Sequence, residues 1–80
     1  MLKKTTFERV TEVFRNVFEN AELVIAEETT SDDIKNWDSL NNVKLLISLE
    51  KEFSFRFNSS EISGLLNIGA LLALIEKKIV

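Results

Sequence analysis

Apolar residues return every three or four positions in separate stretches of this chain, and that period decides what it can fold into. Phe7, Val10, Phe14, Val17, Phe18 and Ala21 fall on one stripe at about 100° per residue, with Glu8, Glu12, Arg15 and Glu19 on the opposite side. Near the other end Ile68, Leu71, Leu72, Ile75 and Ile79 form a second stripe, and between them Leu46, Leu49 and Phe53 form a third. Cap spacings set the boundaries. Thr5 and Glu8 stand as a capping box before a helix over 6–20. Asp38 is a good N-cap for a helix running to residue 53, because its carboxylate can accept from the free amides of the first turn. Asn58 and Glu61 repeat the box spacing and predict a short helix over 59–65. Asn67 caps a last helix over 68–79, whose C-terminal dipole Lys77 and Lys78 complement. Residues 54–57 alternate polar and aromatic side chains, but a lone strand would have nothing to pair with, so they are expected to form a loop with Phe55 or Phe57 turned inward. The prediction is all-α: a small four-helix bundle, three longer helices plus a short third, in one domain over 1–80.

The connection over 21–38 has no sustained period. Leu23, Val24 and Ile25 make an apolar knot, an acidic run follows, and Ile34 and Trp37 precede the second helix. Connections this long in a compact domain tend to be functional or disordered, and the apolar residues at both ends predict one pinned to the core at intervals. Trp37 is expected to pack as a staple rather than to meet a partner. On the second helix Leu40, Val43 and Ile47 flank the core stripe, which makes the apolar arc wider than one packing seam needs and predicts that part of this helix meets a partner.

Composition removes most chemistry. The 80 residues contain no Cys and no His, which excludes disulfide scaffolds, thiolate or imidazole metal sites, Cys nucleophiles and any triad built on an imidazole base. With no Pro and only two Gly, Gly64 and Gly69, neither a P-loop nor a dinucleotide fingerprint can be written. The net charge of −3 argues against a nucleic-acid partner. Lys3 and Lys4 have no apolar run behind them, so no secretory signal is read, and the longest apolar run, 70–75, is far short of the ~20 residues of a membrane span. A monomer in the cytoplasm is expected. The carboxylate pairs Glu27/Glu28 and Asp32/Asp33 lie in a loop with no apolar pocket to raise a pKa, so an enzyme is not predicted.

Asp38, Ser39 and Leu40 taken alone read as a plain helix cap, and it is position that singles out Ser39. It stands in the first turn of the second helix, after the acidic loop, and a hydroxyl there has a helix N-terminus beside it that favours a phosphodiester on its oxygen. The residues around it, Trp37, Asp38, Ser39 and Leu40, then Val43, Leu46, Leu49, Glu50, Glu52 and Phe53, then Glu61, Ile62, Leu65 and Asn67, Ile68, Gly69, Ala70 and Leu71, resemble an acyl carrier protein over nearly the whole chain. The resemblance implies that Ser39, with motif neighbours Asp38 and Leu40, carries a covalent 4′-phosphopantetheine arm. A phosphopantetheinyl transferase would attach it from coenzyme A. The arm's thiol would hold acyl groups as thioesters for the enzymes that load and transfer them. A reactive sulfur supplied by a cofactor accounts for the missing Cys, and presentation alone requires no general base. The family also shelters apolar acyl chains between its second and third helices, which implies a pocket lined by Leu49, Ile62 and Leu65.

One departure stands out. Carriers usually have a strongly acidic second helix, whereas here Asn41, Asn42, Lys44 and Lys51 mix with Glu50 and Glu52, and the acids Glu19, Glu22, Glu27, Glu28, Asp32, Asp33 and Asp38 gather upstream against Lys35 alone. Fatty-acid synthesis is one reading of the pathway, and a dedicated polyketide-like, modified-sugar or polysaccharide-linked carrier fits as well. Partner contacts are expected at Asp33, Leu40, Ile47 and Glu50. The alternatives are a D-alanyl or other aminoacyl carrier, and an unmodified helical interaction module in which Ser39 is an ordinary helix-start residue. Peptidyl carriers usually place Gly-rich residues before the serine, which Asn36 and Trp37 do not match.

Overall fold

The computed structural model, which describes residues 5–65 and 67–79, contains four α-helices: α1 (Thr6–Val17), α2 (Ser39–Phe53), α3 (Ser59–Ser63) and α4 (Ile68–Ile79). Lys3 and Lys4 lie outside the described residues. The caps form as the spacings require. Thr5 N donates to Glu8 Oε1 at 2.9 Å while Glu8 N donates to Thr5 Oγ1 at 3.1 Å. Asn58 and Glu61 make the same reciprocal pair, and Asn67 Oδ1 accepts from Ala70 N at 2.8 Å. These bonds satisfy amides that have no partner within their own helix.

Val10, Val13 and Phe14 of α1, Leu45, Leu49 and Phe53 of α2, and Ile68, Leu71 and Ile75 of α4 close a single core, joined by Ile25 and Ile34 from the long connection. Full burial of each such side chain contributes about 1.5–3 kcal/mol. No residue of α3 is buried. Arg9 bolts α1 to α2: its Nε donates to Glu52 Oε2 at 2.8 Å, a second guanidinium nitrogen donates to the Glu52 carbonyl at 2.7 Å, and the head group lies 4.3 Å from the centre of the Phe53 ring.

Several expectations need correction. The first helix stops at Val17, not residue 20, because Glu19 takes a left-handed conformation (φ 51°). Glu19 N then donates to Asn16 O and Asn20 N to Arg15 O, the paired bonds of a Schellman motif, here closed without glycine. On α2 the buried stripe is Leu45, Leu49 and Phe53, and Leu46 is only half-buried. The knot at 23–25 is divided: Ile25 is buried, Leu23 is half-buried and Val24 points to solvent. The short helix ends at Ser63, two residues early. Both Phe55 and Phe57 turn toward the core, as an edge-to-face pair 4.6 Å apart.

The long connection is ordered by bonds to both sides. Arg15 Nε donates to the Leu23 carbonyl at 2.8 Å. At the other side, the first amides of α4 donate into the loop, Ile68 N to Thr29 O at 2.9 Å and Gly69 N to Glu27 O at 2.8 Å. A 3-10 turn, Ser31–Asp33, follows, tied by Thr30 N to Asp33 Oδ2 at 2.9 Å.

Candidate functional site at the start of α2

Three features aim the start of α2. Asn36 adopts φ 70°, a conformation asparagine tolerates better than most residues, and its carbonyl accepts from Asp38 N at 3.0 Å and Asn41 Nδ2 at 2.7 Å. Trp37 is wedged against Phe14 and Phe18, at ring separations of 5.4 and 5.7 Å, and its indole N–H donates to Asn42 Oδ1 at 2.9 Å. Trp37 is therefore a packing anchor, as the sequence predicts. Asp38 caps the helix, its Oδ1 accepting from Asn41 N at 2.9 Å and its carbonyl from Asn42 N at 2.8 Å.

Ser39 is exposed directly above this frame, and among the described residues its hydroxyl makes no hydrogen bond. With Asn41 and Asn42 satisfied by Asp38, the outward amides of the first turn are those of Ser39 and Leu40. Such amides, with the dipole behind them, favour an anionic group on the serine oxygen. The residues present thus fit a phosphodiester arm: a free nucleophilic oxygen, donors for the phosphate, and a rigid support.

Leu40 is 64% exposed, Val43 52% and Ile47 47%. The structure brings these three onto one face of α2 beside Ser39. Asp33 is exposed in the 3-10 turn, its carboxylate engaged by Thr30. Glu50 is half-buried, and its carboxylate accepts from Phe57 N at 2.8 Å, which ties α2 to the following loop. Leu49 is fully buried, Leu65 packs against the same core, and Ile62 lies on α3 at 38% exposure. The sequence reading did not anticipate the 3-10 turn or the anchoring of the loop on α4. The Thr30–Asp33 spacing was the available signal for the first, and nothing local signals the second.

Glu61 links α3 to α4: Lys78 Nζ lies 2.8 Å from its Oε1 and also donates to the Arg56 carbonyl at 3.2 Å. The Lys78 hydrogen bond, assisted by the Asn58 amide, holds the Glu61 carboxyl below the ordinary glutamate value.

No protein-family model matches the chain, and no curated protein sequence does. Among solved structures it is similar to the holo acyl carrier protein of Geobacter metallireducens, determined in solution by NMR, at a TM-score of 0.87 and 38% identity, covering 92% of this chain and 85% of that one. No helix among the described residues is long and apolar enough to cross a membrane. An exposed serine at a capped helix start, in an all-α bundle that superposes on a carrier at this identity, places the chain in one family. This protein belongs to the acyl carrier proteins, and its role is to carry acyl groups rather than to catalyse their reactions.

Proposed function

We propose that Ser39 is the attachment point of a 4′-phosphopantetheine arm and that Asp38 and Leu40 frame it. The observation that carries this reading is the exposed Ser39 hydroxyl, without a hydrogen-bond partner among the described residues, at a helix start held by Asp38, Asn36 and Trp37. In the loading step the Ser39 oxygen forms a bond to the pantetheine-bearing phosphorus of coenzyme A. The pyrophosphate bond would break, the adenosine 3′,5′-bisphosphate would leave, and the serine proton would pass to a base on the transferase. The arm supplies a thiol that holds acyl groups as thioesters. This chain's residues hold the phosphodiester at the helix N-terminus, orient it away from the core and present Leu40, Val43 and Ile47 beside it.

The carrier acts as a monomeric single domain in the cytoplasm, passed between a phosphopantetheinyl transferase and acyl-loading and acyl-transferring enzymes. The pathway is fatty-acid synthesis or, fitting the mixed charge of α2 as well, a dedicated polyketide-like, modified-sugar or polysaccharide-linked one. Asp33, Leu40, Ile47 and Glu50 are the contacts proposed for partners, and Leu49, Ile62 and Leu65 line the proposed opening for an apolar acyl chain between α2 and α3. Intact-mass measurement after incubation with coenzyme A and a broad-specificity transferase tests the arm. A single mass gain of one phosphopantetheine is expected, and an unchanged mass would refute the reading.

A further inference from the structure

At about 100° per residue, Leu40, Val43 and Ile47 span an arc of roughly 60° on α2, opposite the buried Leu45, Leu49 and Phe53. The charges bordering that stripe are unequal. Lys44 and Lys51 lie along one edge and Glu50 along the other, with Arg56 just beyond the helix. The carboxylates are engaged internally: Glu50 accepts from Phe57 N at 2.8 Å, and Glu52, on the far side, pairs with Arg9 at 2.8 Å. Lys44, Lys51 and Arg56 are exposed, and among the described residues none forms an ion pair. Ile47 separates two shallow depressions of about 380 and 530 Å³. Val17 and Lys44 line the first, with Glu19 also on its wall, and Phe55, Lys51 and Arg56 line the second, with Glu50 also on its wall.

We propose that this face docks a partner protein whose contact surface is an apolar strip rimmed by carboxylates, the side chains of Leu40, Val43 and Ile47 entering the strip while Lys44, Lys51 and Arg56 meet the acids. The inference rests on the carrier reading for the arm beside Leu40, and it adds the charge of the partner. Charge complementarity selects the occupant: free cations on one side of an apolar ridge are matched by fixed acids, which set orientation and encounter rate. A protein fits better than an anionic membrane. The exposed acids Glu27, Glu28, Asp32, Asp33 and Asp38 precede the same helix start and would be repelled by a uniformly negative surface, whereas a protein can confine its acids to the α2 side.

The test titrates the ¹⁵N-labelled full chain with two synthetic amphipathic helical peptides of identical Leu/Ile face, one flanked by Glu and the other by Lys, and with vesicles containing anionic phospholipid. The Glu-flanked peptide is expected to shift the amides of Leu40, Val43, Lys44, Ile47 and Lys51. Its affinity should fall about fivefold in the K44E/K51E double variant and by less in K44Q/K51Q, consistent with partly exposed ion pairs. Added salt should weaken it in the native chain. Equal or stronger shifts of those α2 amides by the Lys-flanked peptide, no shifts with either peptide, or shifts produced only by the vesicles would each overturn the proposal. The mass gain at Ser39 is read on a separate sample, so peptide docking without that gain would refute the carrier reading and leave the docking surface standing.

Discussion

Gly69 shows how one atom governs the loop that leads to the site. Its amide donates to the Glu27 carbonyl at 2.8 Å, and a Cβ at this position would meet that same oxygen at 3.2 Å and the Glu27 Cβ at 3.3 Å. Alanine in a helix ordinarily gains about 0.5–1 kcal/mol over glycine. Here the obstacle is backbone fixed by the hydrogen bond that must be kept, so the contact outweighs the propensity. Gly69→Ala is expected to destabilise the fold by about 1 kcal/mol, measured by urea unfolding; a stabilised variant would show that the loop yields freely. This contact was not legible in the sequence, because it joins residues 27 and 69 across the fold. Ser39, in contrast, was legible from its neighbours: Asp38 caps as its type and place predict, and Trp37 packs as a residue before a helix commonly does.

At the scale of elements, α3 is the one held least by burial and most by polar bonds. It is short and lacks a buried residue, and what holds its start are the Asn58–Glu61 box and the bridge from Lys78. Short helices are marginal on their own, so these bonds decide its stability. Because the Glu61 carboxyl titrates lower in the fold than in the unfolded chain, its contribution is fully present above the ordinary glutamate value and is lost as the pH falls through the lowered one. Amide hydrogen exchange in α3 is expected to lose protection in that acidic window, ahead of α1. Lys78→Ala should weaken protection of α3 at neutral pH and flatten the dependence. Protection of α3 that tracks α1 at every pH would contradict the assignment. Helix existence and caps were legible because the signals are local, as at Thr5, Asn58 and Asn67. Ends were less so: α1 stops where Glu19 turns left-handed without the glycine that usually marks such a stop. The choice between Leu45 and Leu46 depends on how α2 rolls against its neighbours, and adjacent leucines alone do not specify that.

The whole molecule divides into a packed scaffold of α1, α2 and α4 and a lightly held α3, and that division supports the proposed sheltering of an acyl chain. Each methylene moved from water into the bundle contributes roughly 0.8 kcal/mol, so an eight-carbon chain on the arm should raise Tm over the unacylated arm-bearing protein. Thermal unfolding of the two forms checks this, with amide shifts at Ile62 and Leu65 as the local readout. No rise and no shifts would mean that the chain stays in solvent. The bundle and its family were legible because caps, periods and the serine motif agree over nearly the full length, and the likeness to a solved carrier at 38% identity supports the family. The charge of α2 sets this chain apart from the usual pattern, and it directs attention to partners rather than to fold. The proposed arm rests on one oxygen. The most direct measurement compares the intact masses of the native chain and Ser39→Ala after incubation with coenzyme A and a transferase. The native chain should gain one phosphopantetheine. The variant should gain none while keeping its helical circular dichroism, since Asp38 still caps α2. A variant that gains the same mass would place the arm on another of the chain's serines and contradict the account.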